Sequence, residues 1–233
     1  MKRKFLFALA IVLLSFASAS AQNTQATINE YLKSAERGDA AGQNNLGNSY
    51  YYGYGVTQNY QQAIYWFEKA ARQGFADAQY NLASCFYYGN GIEKDLPEAI
   101  VWFEKAAQQG HAGAQNNLGT CYFNGQGVKK NPKEAYKWFE KAAQQGHALA
   151  QNNLGLCYTE GKGIARNHSK AAEMYRKSAE QGNAIGEYNL AVCYDSGQGV
   201  KQDRKEAKKW LDKAAKQGNV KAVKLAKKKR FNK

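Results

Sequence analysis

Residues 112–147 read AGAQNNLGTCYFNGQGVKKNPKEAYKWFEKAAQQGH, and the same 36-residue pattern recurs along most of the chain. Segments that start at residues 40, 76, 112, 148 and 184 align without insertion or deletion. In each segment a leucine, a tyrosine or phenylalanine, a Gly-x-Gly pair and a closing glycine fall in register. A fixed period of roughly 20 to 50 residues is the signature of an array of stacked repeats.

Each repeat is expected to form two helices. In the second repeat Ala78 and Leu82 lie four residues apart, the spacing that places apolar side chains on one face of a first helix. Gly89 follows, and glycine tolerates the left-handed conformation that ends helices. Asp95 and Glu98 then form the signature of a capping box at the start of a second helix. A helix pair this short can bury its apolar face only against a neighbouring pair.

One run of residues is especially specific. The sequence Ala-x-Ala-Gln-x-Asn-Leu-Gly occupies Ala112 to Gly119, and it is followed by Tyr122, Gly125, Gly127, Trp138 and Gly146. This pattern resembles the Sel1-like repeat family, whose members are relatives of the tetratricopeptide repeat. The resemblance covers residues 23–226. It implies an all-α fold, an α/α solenoid in which helix pairs stack into a right-handed superhelix, with the first helices lining its concave side.

The chain divides into three parts. Residues 1–21 have the features of a secretory signal peptide, with a charged start, an apolar run from Phe5 to Ala17 and small residues before a cleavage site. An uncleaved membrane anchor is the alternative for this segment. Residues 22–226 form the repeat region, with five full repeats and a half-repeat at each end. Residues 227–233 form a basic tail. We expect an exported monomer in a bacterial periplasm, with secretion as an alternative.

The basic residues are concentrated at the C-terminal end. The sequence has 33 Lys and Arg against 19 Asp and Glu, a formal net charge of +14, yet residues 22–200 contain 16 of each sign. Residues 201–233 contain 14 basic and 3 acidic side chains. Export argues against nucleic acid, and anionic lipid headgroups or acidic envelope polymers are the more accessible partners. The favoured interpretation is a solvated tail that keeps the end repeat soluble, and binding to an anionic surface is the alternative. The candidate anion-binding residues are Lys227, Lys228, Lys229 and Arg230.

The cysteines and histidines occur in patterns typical of packing. Four cysteines share one repeat position, and equivalent residues of stacked helices lie about 8–10 Å apart, beyond the roughly 7 Å between Cα atoms that a disulfide can bridge. His111 and His147 occupy a loop position that holds Phe75 in another repeat, which favours packing over proton transfer. We expect buried, unpaired thiols at Cys85, Cys121, Cys157 and Cys193.

No motif in the sequence indicates catalysis. The Gly-x-Gly pairs lack the third glycine and the lysine of a phosphate-binding loop, and no serine lies in a Ser-x-x-Lys motif. We therefore predict no catalytic residue, no metal site, no cofactor and no enzymatic activity. Because some exported Sel1-like proteins are β-lactamase-like or penicillin-binding, an enzyme directed at β-lactams or peptidoglycan is the alternative.

Polar residues that recur on the first helices suggest a binding surface. An asparagine precedes the leucine of every repeat, and its amide could bind the backbone of an extended peptide or tie one repeat to the next. A second column is variable and aromatic at its start, with Tyr52 and Tyr88. We expect an interaction scaffold that binds a protein or peptide on its concave groove, with an anionic envelope surface as the alternative partner. The asparagines are Asn45, Asn81, Asn117, Asn153 and Asn189.

Overall fold

The computed structural model describes residues 25–230, with side chains described as far as residue 228, and this part of the chain contains twelve helices and no strand. The predicted signal peptide and residues 231–233 lie outside the described residues. Helix α1 covers residues 25–36. The others are α2 (Ala40–Tyr52), α3 (Tyr60–Arg72), α4 (Ala76–Tyr88), α5 (Leu96–Gln108), α6 (Ala112–Asn124), α7 (Pro132–Gln144), α8 (Ala148–Glu160), α9 (His168–Glu180), α10 (Ala184–Ser196), α11 (Arg204–Lys216) and α12 (Val220–Arg230).

The chain is an all-α repeat protein of the solenoid class, as the sequence predicted. The described residues form two compact units, one within Met1–Ala106 and one within Ala107–Lys233, and the boundary falls in the last turn of α5. In the first unit α2 packs against α3, and α3 against α4. In the second unit each helix from α6 to α12 packs against the next. The even-numbered helices are the first helices of their repeats, and the odd-numbered helices are the second helices.

Leucines, alanines and aromatic rings form the core of each unit. The recurring leucines, such as Leu82 and Leu118, are at most 5 % exposed. A glycine on the first helix lets the ring of the second helix approach closely: a Cβ at Gly119 would lie 2.7 Å from the ring of Phe139. Interiors packed this densely leave no room for an added methyl group without movement.

The cysteines are buried and unpaired, as predicted. Burial disfavours the thiolate, and it raises the pKa of Cys85 and Cys157 to about 12 and that of Cys121 and Cys193 to about 11. Since the thiolate is the nucleophile and the metal ligand, these side chains behave as small apolar residues in this environment.

The predicted capping boxes are only half formed. Asp95 accepts a hydrogen bond from the backbone N–H of Glu98 at 3.0 Å, as a capping residue should. The carboxylate of Glu98 does not return the bond, because the N–H of Asp95 already donates to the carbonyl of Phe86. Glu98 instead accepts the indole N–H of Trp102 at 2.7 Å. Asp95 therefore caps the helix start, and Glu98 holds the side chain of Trp102 in place.

The two glycines after each first helix have different roles. Gly161 ends α8 with φ of 69°, and a Cβ there would have no neighbour closer than 3.6 Å. Gly163 also has a positive φ, of 79°, but a Cβ on it would lie 2.1 Å from the carbonyl oxygen of Pro132. The first glycine thus supplies a left-handed turn, and the second lets the loop touch the start of the preceding second helix.

The last helix caps the second unit. Ala222 of α12 is fully buried, and Leu225 and Ala226 pack against the core. Lys227 takes the repeat position of Gly119, where a second helix would need a small residue. Lys227 is exposed at this position. The helix continues to Arg230, four residues beyond the point where we placed the end of the repeat region.

Candidate binding clefts on the first helices

The recurring asparagines are half-buried, and three of them, Asn81, Asn153 and Asn189, link one first helix to the preceding one. In the first unit the side-chain amide of Asn81 donates to the side-chain oxygens of Asn44 at 2.9 Å and Asn48 at 3.2 Å. These bonds are the ones that the structural interpretation of the asparagine column requires. They use both N–H groups of Asn81 and leave its carbonyl oxygen without a hydrogen bond within the described residues.

The second unit repeats this arrangement. Asn153 donates to Asn116 at 3.0 Å, and Asn189 donates to Asn152 at 2.7 Å. Asn117 accepts a bond of 3.3 Å from its neighbour Asn116. The acceptors Asn44, Asn116 and Asn152 form a second column that the sequence analysis missed, although the Asn-Asn-Leu-Gly run of three repeats carried the signal.

A cleft of about 150 Å³ opens beside Asn81 in the first unit, and we call it cleft 1. Its rings are held by neighbours: the ring centroids of Tyr51 and Tyr52 lie 4.9 Å apart, edge to face, and the hydroxyl of Tyr51 accepts the amide N–H of Asn90 at 2.6 Å. The side chains of Tyr52 and Tyr88 are 56 % and 63 % exposed. The lining residues are Asn48, Tyr51, Tyr52, Phe67, Tyr80, Asn81, Ser84 and Tyr88.

The polar atoms of cleft 1 match the needs of a peptide group. The carbonyl oxygen of Asn81 can accept a hydrogen bond, and the amide nitrogen of Asn48 can donate one, because neither atom has a partner within residues 25–230. The hydroxyl of Ser84 donates to the carbonyl of Tyr80 at 2.9 Å and keeps its lone pairs as acceptors. A backbone peptide offers one donor and one acceptor, so it complements this set.

A second cleft of about 150 Å³, cleft 2, lies at the equivalent repeat positions of the second unit. Phe123 stands where cleft 1 has Tyr51, and Leu156 stands where it has Ser84. The two clefts therefore share a location on the repeat but differ in polarity, since cleft 2 has the more apolar walls. Its lining residues are Thr120, Phe123, Asn124, Phe139, Asn153 and Leu156.

Four of the predicted binding residues line these clefts, namely Asn81, Tyr52 and Tyr88 in cleft 1 and Asn153 in cleft 2. The other three asparagines of the column lie outside both. Sequence reasoning missed Tyr80, Phe123 and Leu156, because the periodic pattern alone does not show which face of a helix meets the next repeat.

The histidine pattern has a structural explanation. His111 and His147 are the N-cap residues of α6 and α8, where Nδ1 accepts the backbone N–H of Ala114 at 3.0 Å and of Ala150 at 3.3 Å. Burial, with a smaller contribution from His111, lowers the pKa of His147 and favours the neutral ring that such a cap needs. Their role is to begin helices by a hydrogen bond that Phe75, at the same position, does not make, so the expected packing role gives way to capping.

Residues 25–230 contain no group of three or more His, Cys, Asp or Glu side chains that could hold a metal ion. Within the same residues, no helix combines the length and the apolar character that a membrane span requires. Of the predicted anion-binding residues, Lys227 and Lys228 are exposed on α12, and Lys229 and Arg230 belong to the same helix with side chains outside the described part.

Comparison with known proteins identifies the repeat. The Sel1 repeat family matches five consecutive segments, residues 40–75, 76–111, 112–147, 148–183 and 184–219. The chain belongs to the Sel1 repeat family. Sel1 repeat proteins are generally scaffolds for protein–protein interaction. No curated protein matches the sequence.

Solved Sel1 structures resemble the chain along most of its length. A Sel1 repeat protein from Oxalobacter formigenes has 35 % identity and a TM-score of 0.82, over 91 % of this chain and 85 % of that one. A protective antigen present in uropathogenic Escherichia coli strains, with an SLR fold, has 35 % identity and a TM-score of 0.76; the match covers 92 % of this chain but 50 % of the antigen. An immunity protein from Pseudomonas aeruginosa has 23 % identity and a TM-score of 0.53, over 81 % of this chain and 72 % of that one. At this identity the likeness shows a shared fold alone.

Proposed function

We propose that this protein is a non-enzymatic, exported scaffold that binds an extended segment of another protein through the clefts of its first helices. The observation that carries the proposal is cleft 1, where an unpaired amide donor and an unpaired carbonyl acceptor stand beside two exposed tyrosine rings. The general role of Sel1 repeat proteins as interaction scaffolds supports it.

The mechanism is equilibrium recognition by groups that are already in place. Asn48 and Asn81 bind the ligand backbone through their free amide atoms, and the tyrosine rings pack against one of its side chains. The bonds from Asn81 to its two partners and from Asn90 to Tyr51 hold these groups before the ligand arrives. Pre-organisation of this kind reduces the entropy that binding would otherwise cost.

Selection from a library of random extended peptides tests the proposal. We expect peptides that bind despite changes in their side chains. They should lose affinity when a backbone nitrogen inside the bound segment is methylated, because methylation removes the N–H group from which the carbonyl oxygen of Asn81 would accept a hydrogen bond. A library without binders, or binders that are indifferent to methylation, would contradict backbone recognition in the cleft.

The assignment as a non-enzyme and the export of the protein need tests of their own. Purified protein should not turn over a chromogenic β-lactam or peptidoglycan, and turnover that follows the protein through purification would overturn the scaffold assignment. Expression of the full chain in a bacterial host should yield a periplasmic form that begins at Gln22, as mass spectrometry would show; a full-length, membrane-bound product would instead support an uncleaved anchor.

A further inference from the structure

The C-terminal end of the second unit has a dense cationic surface that lies outside both clefts. Between Lys201 and Lys228 eleven lysine and arginine side chains stand against three carboxylates, and all eleven are exposed. Helix α12 contains no acidic residue. We name its four exposed, described lysines, Lys221, Lys224, Lys227 and Lys228, the α12 lysine face.

The three carboxylates of this region are already engaged on α11. Asp203 caps the helix by accepting backbone N–H groups at 2.9 and 3.0 Å. Glu206 pairs with Lys209 at 3.0 Å, and Asp212 pairs with Lys208 at 2.5 Å. Within residues 25–230 no ion pair involves the α12 lysine face. Its charges are therefore neutralised only by solvent ions or by a partner.

The spacing of these lysines makes their charges act together. Lys221 and Lys224 are three residues apart, and Lys224 and Lys228 four, so neighbouring ammonium groups share one side of the helix and repel each other. The helix rise places the first and last of them about 10 Å apart. This distance is close to the screening length of about 8 Å at physiological salt, so one anionic surface can interact with all of them.

The surroundings of the lysines indicate which anion they fit. α12 has no aromatic residue, and the nearby Trp210 is only 9 % exposed, with Lys213 Nζ 4.2 Å from its ring centroid. Nucleic-acid bases would find no ring on which to stack. A lysine ammonium group is a compact charge without the planar, paired donors of an arginine side chain, so it can bind phosphate groups in any arrangement. Leu225 and Ala226 pack inward, and apart from Val220 no exposed apolar side chain on α12 could insert into lipid.

We propose that the α12 lysine face docks the protein on the surface of an anionic lipid bilayer, through electrostatic contacts with lipid phosphate groups. This activity is independent of the peptide clefts. A lysine close to an anionic membrane contributes on the order of fivefold to the partition coefficient. Three lysines should thus contribute on the order of a hundredfold, and the attraction should vanish at about 1 M salt, where the screening length is about 3 Å.

Co-sedimentation with vesicles tests the proposal. The full chain is mixed with phosphatidylcholine vesicles that either contain or lack phosphatidylglycerol. The test variant combines Lys221→Gln, Lys224→Gln and Lys228→Gln. The matched control combines Lys129→Gln, Lys130→Gln and Lys133→Gln, which removes three equally exposed charges from another surface of the second unit. Binding to the neutral vesicles measures any insertion of the apolar run from Phe5 to Ala17, which does not depend on anionic lipid.

We expect binding to anionic vesicles at low salt, a loss on the order of a hundredfold for the test variant, and little change for the control. The test variant should keep its helical circular dichroism, because the substitutions relieve repulsion, and it should still bind peptides selected through the clefts. Equal binding to neutral vesicles, or equal losses for both variants, would overturn the proposal. If duplex DNA displaced the vesicles at equal phosphate concentration, the surface would be a nucleic-acid site and the bilayer assignment would be wrong.

Discussion

One buried side chain distinguishes the fifth repeat from the third and fourth: it has a carboxylate oxygen where they have an amide nitrogen. In the third and fourth repeats the buried Gln115 and Gln151 donate to the carbonyl oxygen eight residues earlier, at 3.0 and 3.5 Å, and accept from a glutamine 30 residues later at 2.8 Å. The fifth repeat has Glu187, which accepts from Gln217 at 2.9 Å but has no N–H for the carbonyl of Ala179. Burial raises the pKa of this carboxyl group.

Replacement of Glu187 by glutamine should stabilise the protein. At neutral pH we expect the free energy of unfolding to rise by about 1 kcal/mol, the contribution of a typical hydrogen bond. Because the folded-state pKa is raised, the native carboxylate costs stability above that pKa, and the cost disappears as the pH falls below the unfolded value of 4.5. Urea unfolding of Glu187→Gln at about pH 7 and about pH 4 measures both effects. The reverse change, Gln151→Glu, should lower the free energy of unfolding at about pH 7. If both variants had the same free energy of unfolding as the native protein, the explanation would be wrong.

The cap at His147 should make stability depend on pH in a different range. Because its folded-state pKa is lowered, the neutral ring stabilises the fold above the unfolded value of 6.5, and this stability is lost as the pH falls through the folded pKa. His147→Asn should keep the cap, since Asn183 accepts the N–H of Gly186 at 2.9 Å in the equivalent place, and should remove this dependence. His147→Ala should lose about 1 kcal/mol above pH 6.5, where the native ring is neutral and caps the helix, and less at lower pH. Thermal unfolding between about pH 7.5 and pH 5.5 distinguishes them, and an unchanged pH slope in His147→Asn would contradict the assignment.

At the scale of the helix pair, the second glycine of the Gly-x-Gly pair allows the loop to contact the preceding repeat, whereas the first glycine only ends a helix. Gly163→Ala should cost at least 2–3 kcal/mol, because the added methyl group meets the backbone of Pro132 in addition to requiring a left-handed conformation. Gly161→Ala should cost about 1 kcal/mol, because only the conformation is unfavourable. Chemical denaturation of the two variants gives the comparison. Similar losses for both would show that close approach does not matter at the second glycine.

At the scale of the whole molecule, the sequence predicted the repeats because each helix start and stop depends on local residues. Gly89 and Asp95, for example, end one helix and begin the next through contacts within a few residues. The clefts depend on contacts between residues far apart in sequence. Asn81 bonds to Asn44 across 37 residues, and this pairing follows from how α4 packs beside α2 rather than from a local rule. Partner identity and export involve molecules other than this chain, so the fold does not decide them.

The charge of the molecule is unevenly divided between its two units. Residues 25–106 contain 6 basic and 9 acidic side chains, whereas residues 107–228 contain 21 and 10. The aromatic cleft 1 belongs to the acidic unit, and the α12 lysine face belongs to the basic one. The first unit thus carries the aromatic cleft and the second unit the cationic surface, which suits a scaffold whose first unit holds a partner and whose second unit contacts an anionic surface.

Titration of one library-selected peptide against matched variants tests the binding function most directly. Fluorescence anisotropy should show that Tyr52→Ala combined with Tyr88→Ala weakens the affinity roughly thirtyfold or more, as expected for the loss of two aromatic anchors. The control Tyr65→Ala removes a tyrosine that is 47 % exposed on α3 and lies outside cleft 1, and it should leave the affinity unchanged. Equal affinities for the native protein and the double variant, or an equal loss in the control, would contradict peptide binding in cleft 1.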